Sequence, residues 1–332
     1  MPAPTPEQFH AIWQTFLPLY GRLSLITGRR HGLYAHYTSV PTIEHILRTN
    51  EVWLSNPLFM NDLQELRAGA GLAFQKFPEA ALRAGGDQAR ANTLIQMFNH
   101  YFTHFDANGA FDTYIFCLCE HSLPRDQDGI LSMWREYGSK GNGAALVFNL
   151  EKVNFTVTSP LIIAQVKYAS DDERATQLDD HLNAWVATTL ALNLPDEHLH
   201  VAAFFAFNFI KLAALTTKHR GFAEEREIRI IYSPDQDPRG YLTPCLDYHV
   251  GPKGIEPKLK YKFGATYPPT GGVGSPDPVE PGVLTDLLEF ILLGPALSSF
   301  LARRSFTRML ERNKLDAFSD RVRTSQIPLR PS

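Results

Sequence analysis

Between Leu33 and Thr38 the side chains alternate: Leu33, Ala35 and Tyr37 on one parity, Tyr34, His36 and Thr38 on the other. A period of two is the signature of a strand with two unlike faces. The next residues, Ser39-Val40-Pro41-Thr42, offer a capping hydroxyl and a proline suited to a first helical turn. Ile43, Ile46 and Leu47 then recur at helical spacing, so that helix has one apolar stripe. Glu51 to Ser55 returns as a strand, which Asn56-Pro57 ends. This strand–helix–strand unit gathers His36, Tyr37, Thr38, Ser39, Ser55 and the Asn61-Asp62 loop, a polar set on a small scaffold.

The same patterning predicts the other elements. Residues 7–27 read as an amphipathic helix through Phe9, Ile12, Trp13, Phe16 and Leu17. Residues 63–105 favour helices broken at Gly85-Gly86, and 172–219 favour helices interrupted at Pro195. Strands are expected at 113–120, 143–150, 161–168, 227–232 and Phe290 to Leu293, with a final helix over 296–314 and a last strand over 321–329. The Pro/Gly-rich stretch 266–282 reads as a loop. Strands and helices follow without regular alternation. The expected class is therefore α+β: a mixed, mostly antiparallel sheet with large helical insertions at about 63–105 and 172–219. An N-terminal helical segment over residues 1–30 precedes one α+β domain over 31–330.

Composition narrows the class only a little. The chain has 332 residues, 44% hydrophobic and 20% charged, which suits a soluble globular protein. A net charge of -3 supplies no global basic field for nucleic acid. Lys253, Lys258, Lys260 and Lys262 crowd one segment, which reads as a solvated loop or a lysine-protected edge strand. Cys117, Cys119 and Cys245 are too few for a disulfide scaffold and read as buried free thiols. No signal-peptide pattern opens the chain, and no uncharged apolar run approaches the roughly 20 residues of a membrane span. A cytoplasmic location without a membrane partner is the expectation. His100 and His104 lie four apart on a helix, but no acidic residue completes a zinc-peptidase pattern.

Two further clusters carry chemistry. Trp134-Arg135-Glu136-Tyr137-Gly138 offers two aromatic rings and a guanidinium before the Gly-rich turn Ser139 to Gly143. Its rings suit a planar ligand or a core, and the turn's amides suit a phosphate. In the run Glu224 to Tyr232, strand alternation puts Glu225, Glu227 and Arg229 on one face and Arg226, Ile228, Ile230 and Tyr232 on the other. Such a row can fix a hydroxyl or a developing cation; an exposed strand of alternating charge is the plainer reading.

In these clusters the chain resembles a large, mostly bacterial domain family of unknown function. The family's segments read Y-H-Y-T-S, L-W-L-S-N-P-x-x-x-N-D-x-x-E, F-C-L/F-S/C, L-S-M-W-x-x-Y-G, K-x-x-x-F-x-x-E-x-E-x-R and I-x-x-G-P, then S-x-I-P-L/Y-R. Their counterparts are Tyr34 to Ser39, Val52 to Glu65, Phe116 to Cys119, Leu131 to Gly138, Lys218 to Arg229, Ile291 to Pro295 and Ser325 to Arg330. More remotely, the order of His-x-Thr strand, helix, Ser-bearing strand and later Glu strand is similar to the ADP-ribosyltransferase superfamily and its split sheet. That resemblance implies NAD as substrate and a nucleic-acid or protein acceptor, as for a toxin or defence effector, with no resident metal. It implies that His36 and Thr38 hold the adenosine ribose and nearby phosphate, and that Tyr137 or Trp134 stacks on nicotinamide. Glu225 or Glu227 would bond the nicotinamide ribose. Tyr37, Ser55, Asn61, Asp62, Arg135 and Arg229 complete the expected nucleotide contacts. The chain departs from that superfamily in lacking an evident stacking tyrosine after the Ser55 strand and in placing Arg229 after the Glu-x-Glu pair. Two rival expectations use the same residues: a nuclease with Asp62, Glu225 and Glu227 on Mg²⁺, and a non-catalytic nucleotide-sensing or interaction module.

Overall fold

A computed structural model describes residues 5–26, 28–29, 31–60, 63–106, 110, 112–155, 159–251, 254–268, 270 and 283–329. The chain divides into two compact units, one from residues 1–25, 56–113 and 164–223, the other from 26–55, 114–163 and 224–332.

The first unit is helical. Its helices are Pro6–Tyr20, Leu63–Gly85, Gln88–His104, Asp171–Leu192 and Leu199–Leu215. Capping boxes at Thr5/Gln8 and Ser170/Glu173 start two of them. The first helix ends at Tyr20, short of the expected residue 27, because the chain turns through Gly21 to a left-handed Ser24. The Gly85-Gly86 break appears as expected, with Asp87 capping the next helix. Phe77 and Phe98 stack at 4.0 Å in the core, and Trp185 donates to the Ala202 carbonyl there. Among the described residues one stretch, Asp196–Leu215, is long and apolar enough for a span; 72% of its apolar window is buried, which is how a core helix behaves. The expected strand over 161–168 is two pieces, Leu161–Gln165 and Lys167–Ala169, and the latter pairs with Thr217–His219.

The second unit is built on a sheet. Its main strands are β1 (Leu33–Thr38), β2 (Glu51–Ser55), β3 (Tyr114–His121), β4 (Ala144–Asn149), β5 (Glu227–Tyr232), β6 (Leu246–Gly251), β7 (Gly254–Lys262), β8 (Leu288–Leu293) and β9 (Val322–Thr324). They lie in the order β6-β7-β2-β3-β1-β4-β8-β9, with β5 along the other edge of β3. Every one of these pairings is antiparallel except β8–β9, which confirms an α+β fold on a mixed, mostly antiparallel sheet. The lysine segment is corrected: it is a strand, β7, between β6 and β2, with Lys258 paired on both sides and Lys260 and Lys262 on the β2 side. Leu259 and Tyr261 fill the core beneath it, while Lys260 lies over Trp53 and pairs with Asp247. Lys253 is outside the described residues, as is most of 266–282. The last helix is Phe300–Arg312, capped by Ser299, and the last strand stops at Thr324.

Alternation sorts the sheet into two faces. Tyr34, Leu54, Phe116, Leu118, Leu146, Phe148 and Ile228 line one, covered by Ile43, Ile46 and Leu47 of helix Val40–Thr49 and by Phe306 and Leu310 of the last helix. Ala35, Tyr37, Cys119, Ala145, Val147, Phe290 and Leu292 line the other. There Met133 and Trp134 from helix Leu131–Glu136 pack on them, with Ile327 and Leu329. Each large apolar side chain fully buried here contributes roughly 1.5–3 kcal/mol.

One discontinuity matters. β1 and β2 both border the same edge of β3, β1 at Cys119 to His121 and β2 only at Ile115. Between those points the sheet splits. His36 fills the split: its Nδ1–H donates to the Cys117 carbonyl at 3.0 Å and its ring stacks on Phe116 at 4.4 Å. A carbonyl only accepts, so Nδ1 carries the proton.

Candidate functional site

The face that carries Tyr37 also carries the polar side chains of β5. Register aligns Ala35, Cys119 and Glu227 in one row, Cys117 and Arg229 in the next, and Ser55, Ile115 and Ile231 in a third. Glu227 and Arg229 are 4% and 2% exposed, so the expectation of an exposed charged strand fails. Arg229 closes on Glu227 through Nε–H to Oε1 at 2.8 Å and Nη2 to Oε2 at 3.3 Å. A two-pronged pair of this kind is what makes two buried charges tolerable.

Glu225 departs from the simple alternation. β5 begins at Glu227, Glu225 ends the 3-10 turn Arg220–Glu225, and Arg226 between them is left-handed at φ +43. That kink moves Glu225 out of strand register. Its carboxylate, buried at 8% exposure, accepts the Tyr137 hydroxyl at 2.9 Å. The Arg226 side chain meets Asp126 at 2.8 Å, and its carbonyl accepts from the Glu120 amide, so the kink is held at both ends.

Tyr137 follows helix Leu131–Glu136 and leaves 37% of its surface exposed, so its ring can meet a ligand. Trp134 cannot. It is fully buried, donates to the Asp128 carbonyl at 2.9 Å and packs edge-on against Tyr37 at 4.8 Å. Gly129 and Gly138 press against the indole so closely that an added Cβ would stand 2.6 Å away. Arg135 points outward and is exposed. Tyr37 is a core post: its hydroxyl accepts the Ile130 amide at 3.1 Å, and burial holds the phenol protonated.

His36 and Thr38 alternate with Ala35 and Tyr37, so they belong to the opposite side of the sheet from Glu227. The structure therefore does not bring His36 and Glu227 together on one face. Burial lowers the His36 pKa, against the raising effect of its bond to Cys117. Ser55 shares the Glu227 face, where its hydroxyl accepts from Lys258 at 2.9 Å. Asn61 and Asp62 lie outside the described residues. Cys119 is buried, and burial, reinforced by Asp126, Glu225, Glu120 and Glu227, pushes its thiol far up, so it is inert as a nucleophile. Among the described residues no three His, Cys, Asp or Glu side chains are placed to hold a metal, the His100/His104 pair included.

Sequence reasoning missed Asp126, the anchor of Arg226; Lys258, the partner of Ser55; and Asp128, which holds Trp134. Asp128 also accepts the Ser325 hydroxyl and the Gln326 amide, each at 2.7 Å. The only sequence signal was indirect: the Ser-x-Ile-Pro and Leu-Ser-Met-Trp segments meet at this aspartate.

Residues 133–230 match a family described as "Protein of unknown function (DUF2971)". The matched stretch carries both Tyr137 and Glu225 to Arg229. Neither the curated proteins nor the solved structures give a match.

Proposed function

We propose that the chain acts on NAD as an ADP-ribosyltransferase-like enzyme, through Tyr137, Glu225, Glu227 and Arg229. The observation that carries this reading is the Tyr137–Glu225 hydrogen bond beside the buried Glu227–Arg229 pair. A half-exposed aromatic ring suits stacking on nicotinamide, and a carboxylate at its hydroxyl suits the adjoining ribose. In the reaction the bond from ribose C1′ to the nicotinamide nitrogen breaks, and nicotinamide leaves with the electron pair. Glu225 faces the positive charge left on the ribose. An acceptor oxygen or nitrogen then adds to C1′ and releases its proton to solvent. Positioned negative charge lowers the barrier most where the positive charge develops. Glu227, fixed by Arg229, holds the start of β5 in place, and His36 braces the split from the other face. The nuclease reading draws less support, because these carboxylates bond to Tyr137 and Arg229.

The test follows nicotinamide release from NAD by the full chain, with and without EDTA. EDTA-resistant release is expected, and Glu225→Gln should slow it on the order of a hundredfold. Tyr137→Phe should raise KM more than it lowers kcat. NAD binding without release in the presence of candidate protein and nucleic-acid acceptors would point to the sensing module. Absence of NAD binding by calorimetry would sink both readings.

A further inference from the structure

The last helix, Phe300–Arg312, has one face in the core and another with no structural task. Phe306 and Leu310 are 6% and 0% exposed and anchor it to the sheet face opposite Glu227. Positions 300, 304, 308 and 312 fall four apart, in one line along the outer side, about 6 Å per step. They hold Phe300, Arg304, Arg308 and Arg312, and Arg303 stands beside them. Phe300 is 73% exposed, and all four arginines are exposed. Glu311 is the helix's single acid. Among the described residues none of these arginines forms an ion pair. In a chain of net charge -3, such a stripe is a local concentration of positive charge.

The geometry points to this stripe as a docking surface for single-stranded nucleic acid, with successive phosphates on Arg304, Arg308 and Arg312 and a base stacked on Phe300. Arginines in line at this repeat match a string of phosphates better than they match a single anion. An exposed ring at one end adds what single strands offer and duplexes withhold, an accessible base face. An anionic membrane fits less well: the helix's apolar side is already in the core, and Phe300 and Leu301 stand only at its first turn. Lying across the sheet from Glu225, the stripe would tether a strand rather than present the reacting atom. This inference does not depend on the NAD reading.

The test is fluorescence anisotropy of the full chain with a labelled single-stranded DNA of about 20 nucleotides, longer than a typical single-strand site, across a salt series. A duplex of the same sequence and vesicles of phosphatidylcholine with phosphatidylserine serve as comparisons. Binding to the single strand is expected, stronger than to the duplex. In Arg304→Gln/Arg308→Gln/Arg312→Gln, affinity at about 0.1 M salt should fall at least about tenfold and the salt slope should shrink by about 2. Phe300→Ala should weaken single-strand binding with the slope unchanged. Circular dichroism checks the fold; if the triple variant loses it, Arg308→Gln alone should reduce the slope by about 0.7. Unchanged binding in the arginine variants, vesicle binding without DNA binding, or no binding at low salt would each overturn the assignment. Unchanged affinity in Phe300→Ala would remove the stacking part.

Discussion

Arg229 and Glu227 share their burial, so neither side chain can be changed alone without consequence. Glu227→Gln takes the carboxylate charge away from the buried Arg229 guanidinium it faces, and we expect about 3–5 kcal/mol of destabilisation by urea unfolding. The double change Glu227→Leu/Arg229→Leu should cost less than the two single changes added together, because it removes both charges at once. Additive costs would show that the pair is not coupled. This is also why Glu225→Gln and Tyr137→Phe are the better probes of chemistry: neither change takes the Glu227 carboxylate from the buried Arg229. Arg226 stands between the two acids in a conformation worth about 1–2 kcal/mol of backbone strain, offset in part by its bonds to Asp126 and to the Glu120 amide. Strand alternation found the Glu227–Arg229 face correctly. It missed the Arg226 kink, because no residue preference marks an arginine as left-handed, and so it read Glu225 as part of a strand that begins only at Glu227.

At the scale of elements, glycines show where backbones meet. A Cβ on Gly143 would lie 2.2 Å from the Thr38 carbonyl of β1 and 2.8 Å from the Gly138 backbone in the turn before β4. Gly143→Ala should therefore destabilise by about 3 kcal/mol, since backbone cannot step aside as a side chain can. Gly71 is the counter-example: it lies inside helix Leu63–Gly85, and a methyl group added to its Cα would meet nothing within 4 Å. Gly71→Ala should stabilise by about 0.5–1 kcal/mol in the same thermal or urea assay. The element boundaries that periodicity made legible were those with caps, such as Ser39, Asp87 and Ser170. The interior placement of β7 was hidden by its lysines: Lys260 covers Trp53, and the charges of Lys260 and Lys258 find Asp247, Glu256 and Ser55.

For the whole molecule, three histidines tie stability to acid. Burial lowers the pKa of His36 and His121, and burial with Lys167 and Arg22 nearby lowers His181 to about 4. A group whose folded pKa is depressed in this way is neutral when folded, while the unfolded chain takes up its proton near pH ~6.5. Stability should therefore be full above about pH 6.5 and fall as pH drops towards about 4. Thermal unfolding across that range checks this, and His181→Gln should flatten the slope. A slope unchanged in that variant would exclude His181 as a contributor. The α+β class and most elements were legible in the sequence because hydrophobic period reports burial directly. The candidate site was legible only in part, because side-chain parity must be joined across β1, β3 and β5, and pairing register is a long-range property.

The split beside β3 carries one further consequence. Where two strands normally zip together, the His36 imidazole takes the Cys117 carbonyl and ties β1 to β3 across the gap. Native-state hydrogen exchange reads such a weak point directly. His36→Ala should speed deuterium uptake in the peptide spanning Phe116 to Leu118 while leaving that of β8 unchanged. The sheet's seam would then be its first place to breathe.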